Sequence, residues 1–132
     1  MVHKIGVNKT ESLPIDPREM YSTHKVQVKK GERYLVQCDL DQRWKDWYVS
    51  TTVEGFFNPL ASLLGLRVKK ANCFCLCGAY NDSEEKLFRI GASRIITVTE
   101  DGTMCFFAND NLSKVAYSNN RGGITIQVTR QA

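Results

Sequence analysis

Asn109, Asp110, Asn111, Asn119 and Asn120 bring one carboxylate and four side-chain amides into a single loop. The loop lies between two strand-like runs, Met104–Ala108 and Ile124–Thr129. Hard cations such as calcium take about six to eight oxygen ligands from carboxylates, amide carbonyls and backbone carbonyls. This loop offers all three kinds. It holds only one carboxylate, so charge compensation is incomplete and a coordination position is left open for a ligand's hydroxyls. The competing reading is an ordinary turn. Asn and Asp gather in turns because their short side chains bond their own backbone and tolerate left-handed conformations.

Other reactive side chains point less clearly to chemistry. Cys73, Cys75 and Cys77 recur with a period of two, which predicts one strand face carrying all three. Three thiols on a face can grip zinc or copper. Structural zinc sites instead pair ligands at C-x₂₋₄-C spacing with a second pair elsewhere, and neither pair is present. Cysteine as a small buried hydrophobe is the simpler reading. The odd count of five cysteines and the lack of an apolar leader core in residues 1–14 predict reduced thiols. They also predict a cytoplasmic protein, or one exported without a cleaved signal peptide. A disulfide from Cys38 or Cys105 to one of the trio stays open. No G-x-S-x-G, H-E-x-x-H or P-loop occurs, and both histidines, His3 and His24, lie near the N-terminus, so no enzyme is expected. Glu84 and Glu85 read as a solvated turn. Trp44, Trp47 and Tyr48 are either core or an aromatic platform beside a metal. Strand alternation would set Trp47 and Tyr48 on opposite faces.

The elements that must position these groups are mostly strands. Val26–Lys29, Arg33–Cys38, Asp46–Val53, Val68–Tyr80, Leu87–Ile90, Arg94–Thr99, Thr103–Ala108 and Ile124–Thr129 are β-branched, aromatic or alternating. Lys30-Gly31-Glu32 supplies a turn, and Asp101-Gly102 predicts a tight hairpin. Short strands with turn signals between them predict an all-β antiparallel sandwich, jelly-roll-like, formed by one domain over residues 1–132. About the first fifteen residues are expected to fray. Asn58-Pro59 and Gly65 bracket a short helix over 58–65, with Leu60, Leu63 and Leu64 as its buried face. Phe56 and Phe57, beside turn residues, are expected to be partly exposed. With 42% hydrophobic and 24% charged residues the chain has globular proportions, which excludes disorder. The net charge of +4 is dispersed, so a solvated face is expected and not a nucleic-acid patch. No apolar run reaches the roughly eighteen residues of a membrane helix.

Two segments carry a family resemblance. They are Phe106-Phe107-Ala108-Asn109-Asp110 and Tyr117-Ser118-Asn119-Asn120-Arg121-Gly122-Gly123-Ile124-Thr125-Ile126-Gln127-Val128. Together they resemble the C-terminal end of the PA-I-type galactophilic lectins, the LecA-like family. Cys75-Leu76-Cys77-Gly78-Ala79 and the run Arg33–Val49 resemble it more loosely. The resemblance implies calcium held by the side chains of Asp110, Asn119 and Asn120, by the backbone carbonyl of Ala116, and by a carbonyl of Trp47 or Tyr48. It implies sugar hydroxyls completing the calcium sphere, with Asp110, Asn111, Asn119, Trp47 and Tyr48 around the sugar. A galactose-like glycan is the implied ligand and a homo-oligomer the implied assembly. Two departures stand out: a longer loop between Asp110 and Tyr117, and Glu54–Pro59 in place of the family's polar sugar-contacting segment. Three functions follow: a calcium-dependent lectin module, a scaffold or oligomerisation module that has lost the sugar site, and a weak nucleic-acid binder.

Overall fold

The computed structural model describes residues 1–132. In chain order the strands are β1 (Val2–His3), β2 (Thr10–Ile15), β3 (Lys25–Val28), β4 (Arg33–Gln37), β5 (Trp44–Asp46) and β6 (Val49–Thr51). Helix α1 (Pro59–Leu64) follows, then β7 (Leu76–Tyr80), β8 (Leu87–Arg89), β9 (Ser93–Thr97) and β10 (Gly102–Ala108). Helix α2 (Lys114–Ser118), β11 (Asn120–Arg121) and β12 (Ile124–Arg130) complete the chain. One sheet has the order β1-β3-β10-β7-β8 and a second β2-β12-β4-β9; β11-β5-β6 form a small third. Every pairing is antiparallel except β1 with β3.

Period-two alternation explains the packing. Ile124, Ile126 and Val128 of β12, Tyr34 and Val36 of β4, and Leu13 and Ile15 of β2 turn one way. They meet Val26, Val28, Met104, Phe106, Leu76 and Tyr80 of the larger sheet in one 25-residue cluster. The opposite parity of β7 and β10 (Cys77, Ala79, Cys105 and Phe107) forms a smaller cluster on the sheet's outer face, with Ala71 and Cys75. That is why β7 is buried on both sides, as its unbroken apolar run predicts. The all-β sandwich is therefore as expected.

Several local expectations are corrected. Asp101-Gly102 is not a hairpin turn, because β9 and β10 belong to different sheets. It is a corner between layers, braced by the Lys30 backbone N–H donating to the Asp101 carboxylate at 2.8 Å. Gly102 has φ 130°, and a Cβ there would lie 1.9 Å from Asn81 Oδ1. Asp46–Val53 is not one strand but the hairpin β5–β6, with Trp47 and Tyr48 as its two-residue turn. Val68–Tyr80 becomes a strand only from Leu76. Residues 1–15 are not frayed: β2 pairs with β12 over six residues, and Ile5, Leu13 and Ile15 are buried.

Helix α1 forms where Asn58, Pro59 and Gly65 place it; the Asn58 side chain accepts the Ala61 N–H at 3.1 Å. Its polarity is inverted relative to expectation. Only Ala61 is buried, while Leu60, Leu63 and Leu64 are 66%, 83% and 70% exposed. A helix this short is held by its caps and one small contact, so its leucines need not face inward. Phe56 packs against the core and Phe57 is exposed.

The three spaced cysteines do not share a face. Phe74 has φ 64°, a left-handed residue that resets the parity between its neighbours. Cys73 joins the main core, and Cys75 and Cys77 join the outer cluster with Cys105. All five cysteines are free and buried. Burial pushes the Cys38 thiol up to about 11 and the Cys105 thiol up to about 12, and reactivity follows the thiolate. All five are shielded from solvent, so a thiol-reactive chromophore should label none of them in the native protein within minutes, and all five after denaturation. Rapid native labelling would contradict this burial.

Candidate cation and ligand site

The site begins at the end of β10. Asn109 is fully buried; its Nδ2 donates to the carbonyls of Val68 (2.9 Å), Ala71 (3.3 Å) and Asn72 (3.0 Å), and its Oδ1 accepts the Val68 N–H at 2.9 Å. Its own carbonyl accepts the Phe74 N–H at 2.6 Å. These bonds fix the backbone from which Asp110 projects. The Asp110 carbonyl accepts the Arg67 N–H at 3.0 Å, and its Oδ1 accepts the Asn111 N–H at 2.8 Å.

Arg67 braces the loop from behind. Its side chain is 1% exposed and ion-paired with Glu84, and the guanidinium lies 3.7 Å from the Phe107 ring centroid. It donates to the Tyr117 hydroxyl at 2.8 Å, and that hydroxyl donates to the Ala108 carbonyl at 2.6 Å. Glu84 is thus not half of a solvated acidic turn. Burial raises its carboxyl, but bonds from Arg67 and Tyr21 outweigh burial and leave it below the usual value.

Helix α2, capped by Ser113, occupies the extra length between Asp110 and Tyr117. Sequence reading missed it because a five-residue helix has no periodic signal. It delivers Asn119 and Asn120 back towards Asp110. The Asn120 Nδ2 donates to the Pro17 carbonyl at 2.8 Å, which turns its Oδ1 the other way. The outcome is specific. Asp110 Oδ2, Asn119 Oδ1 and Asn120 Oδ1 are buried and have no hydrogen-bond partner, and no other side-chain atom of the chain shares that state. Native proteins satisfy nearly all such groups, and leaving one bare costs about 1–3 kcal/mol. A cation satisfies several acceptors at once, so these residues fit one.

Two further groups were not foreseen. Asp46 is the cross-strand partner of Asn120 in the β5–β11 pairing, and Cys73 donates its thiol to the Asp46 carboxylate at 3.7 Å. The ligand atoms of Asp46, Cys73 and Asp110 all lie within 4.8 Å of one another. Neither carboxylate has an ion-pair partner. Burial pushes the Asp110 carboxyl up to about 6, against the pull of the Asn111 N–H and with a push from Asp46. Burial also raises Asp46, partly offset by the Cys73 thiol. The only sequence signal for Asp46 is an isolated acid in an aromatic run. Its pairing with Asn120 spans most of the chain and leaves no local trace.

A cavity of about 170 Å³ opens here, lined among others by Asp46, Asp110, Ala116 and Asn119, with Leu60 and Leu64 at one wall. The structure thus brings together Asp110, Ala116, Asn119 and Asn120. Asn111 has a structural task as well: its Nδ2 donates to the Ala61 and Gly65 carbonyls at 3.0 and 2.7 Å, tying down α1. Trp47 and Tyr48 are 62% and 80% exposed and pack against each other with centroids 4.6 Å apart and ring planes tilted by 45°, so they are not on opposite strand faces. Trp47 has φ 57°, an unusual conformation for a bulky residue, and it follows Asp46 directly. Trp44 is buried and donates to the Phe74 carbonyl at 3.1 Å, which makes it core. The largest groove, about 640 Å³, lies instead along Pro14–Asp16 and Arg121–Thr125. Its Arg18 and Asp16 are already paired.

Comparison with solved structures places the architecture. The chain superposes on the EclA N-terminal domain, a PllA-like lectin, with a TM-score of 0.64 and 18% identity, covering 90% of this chain and 94% of that one. The fold is lectin-like. No protein-family model matches the chain, and no curated protein matches it.

The brace behind the loop is testable. Tyr117→Phe removes the hydroxyl between Arg67 and Ala108, so it should destabilise the protein by about 1–3 kcal/mol in urea unfolding. An unchanged unfolding midpoint would mean that this hydroxyl braces nothing.

Proposed function

We propose that the chain is a calcium-dependent carbohydrate-binding module for galactose-like sugars. The side-chain oxygens of Asp110, Asn119 and Asn120 hold the ion, with the carbonyls of Ala116 and of Trp47 or Tyr48. The observation that supports this most is the convergence of three bare buried oxygens on the residues that the LecA-like resemblance assigns to calcium. The lectin-like fold supports carbohydrate binding without catalysis, in keeping with the missing catalytic motifs. Bound calcium supplies two positive charges and coordination positions for a pair of sugar hydroxyls. Asp110 and Asn119 line the cavity and can accept hydrogen bonds from those hydroxyls. The rigid loop behind them means that little ordering is needed on binding, which favours affinity.

A scaffold that assembles through α1 is the second reading. One observation favours it: Phe57, Leu60, Leu63 and Leu64 are exposed close together in sequence. A homo-oligomer would also bring several sugar sites together and raise avidity. Sedimentation of the chain tests assembly, and a monomer at high concentration removes this reading.

Calorimetric titration of metal-free protein with calcium, then galactose, tests the lectin reading. Galactose should bind only after calcium. Asp110→Asn should weaken calcium binding by more than about a hundredfold, beyond the loss typical of supporting residues. Unchanged galactose binding by chelated or Asp110→Asn protein would sink the proposal.

A pH dependence follows as well. The Asp110 carboxyl titrates near 6 in the folded chain, against an ordinary 3.8. Its contribution to metal-free stability is therefore fully present below about 3.8 and is lost as pH rises through about 6. Calcium requires the ionised form and relieves that loss. The rise in Tm on adding calcium should thus be larger near pH 7.5 than near pH 5. Equal rises at both values would show that Asp110 does not face the ion.

A further inference from the structure

We propose that Asp46 is also a ligand of the cation, so that two carboxylates face it, one from the β5–β6 hairpin and one from the loop after β10. The inference rests on the reading of the site as a calcium site and deepens it, because the loop alone supplies one carboxylate.

The geometry has three independent parts. First, the β5–β11 register places Asp46 directly opposite Asn120, and adjacent antiparallel partners lie only about 4.5–5.5 Å apart at Cα. Second, the ligand atoms of Asp46 and Asp110 lie within 4.8 Å of each other and of Cys73 Sγ, and both residues line the same cavity. Third, neither carboxylate has a charged partner within the chain, although Asp110 Oδ1 accepts the Asn111 N–H. Asp46 has only the weak thiol donor of Cys73, no Lys, Arg or His pairs with either acid, and Asp110, 3% exposed, leaves Oδ2 bare. Two carboxylates held this close repel unless a cation or a proton lies between them. The bare Asp110 Oδ2 and the bare Asn120 Oδ1 argue for the cation, since a shared proton would leave the amide oxygen unsatisfied.

The consequence is charge balance. Two carboxylates match a divalent ion, and affinity for calcium rises with the number of charged ligands. The remaining positions then suit neutral oxygens, such as the hydroxyls of an uncharged sugar. Cys73 is a soft donor and is not needed by a hard ion; its thiol bonds the Asp46 carboxylate.

Calcium titrated calorimetrically into the metal-free full chain tests this, with Asp46→Asn, Asp46→Ala and the exposed charge control Asp41→Asn. Thermal unfolding in chelator checks that each variant is folded. Both Asp46 variants should bind calcium at least about tenfold more weakly and should unfold in chelator no earlier than the parent; Asp41→Asn should match the parent throughout. Folded Asp46 variants that bind calcium as the parent does would overturn the role of Asp46 and leave the site reading standing. A parent that binds no calcium would overturn both. A carbon-13 spectrum of the parent, labelled at its aspartate carboxyl groups, reads the same point without substitution. Calcium should move two aspartate signals strongly, and movement of one alone would count against Asp46.

Discussion

The site depends on one buried amide. Asn109 stands at the end of β10 with both sides of its carboxamide bonded to the 68–72 segment. That segment is irregular, and without Asn109 the Val68, Ala71 and Asn72 backbone groups would lose these partners, the Ala71 carbonyl in a buried position where an unpaired group is costly. By answering them, Asn109 lets the segment lie against the outer face of the larger sheet. This brings Arg67 under Tyr117 and the Arg67 N–H onto the Asp110 carbonyl. Removing the amide would release the 68–72 segment, Arg67 and the loop together, which is why satisfied polar networks inside a protein fix a single arrangement.

Against this background the bare oxygens gain meaning. Nearly every neighbour of the cavity is satisfied: Asn109 on both sides, Asn111 through α1, Tyr117 through Ala108 and Arg67, and the Asn120 amide nitrogen through Pro17. What remains is three buried acceptors without a partner, Asp110 Oδ2, Asn119 Oδ1 and Asn120 Oδ1, two of them on residues that line one small cavity. Folding such a set without a ligand is unfavourable locally, and the 25-residue core of the sandwich carries that penalty. This separation, with stability in the sheets and unsatisfied polarity at one end, is common where a protein binds something.

Legibility in the sequence followed the range of the interactions. Asn58, Pro59 and Gly65 act within one helical turn, and they foretold α1 correctly. Alternation in Ile124–Thr129 acts within one strand, and it foretold both β12 and its buried face. Expectations failed where distant chain decided. Asp101-Gly102 has the composition of a hairpin turn, but its strands part to different sheets. Cys73, Cys75 and Cys77 have the spacing of one face until Phe74, with φ 64°, breaks the count. Leu60, Leu63 and Leu64 have the hydrophobicity of a buried stripe, but α1 turns only Ala61 into the core. Around the site, Asp110, Asn119 and Asn120 were readable because they share one loop and a resemblance. Asp46 was not, because its pairing with the distant Asn120 brings it there, nor was Cys73, which an isolated bridge to Phe56 and a bond to Asp46 set beside it.

The exposed leucines of α1 complete the physical picture of the cavity. Asn111 bonds the carbonyls at the end of this helix, so the same loop that carries Asp110 also sets the helix at the cavity's wall. Leu60 and Leu64 therefore line the same cavity as Asp110 and Asn119. A site built this way pairs a polar floor, where desolvated oxygens demand a cation or donor, with an apolar wall that demands a nonpolar surface. Sugars present both kinds of surface, hydroxyl edges and C–H faces, and an apolar wall beside a polar floor distinguishes orientations of the ring in a way that neither surface does alone.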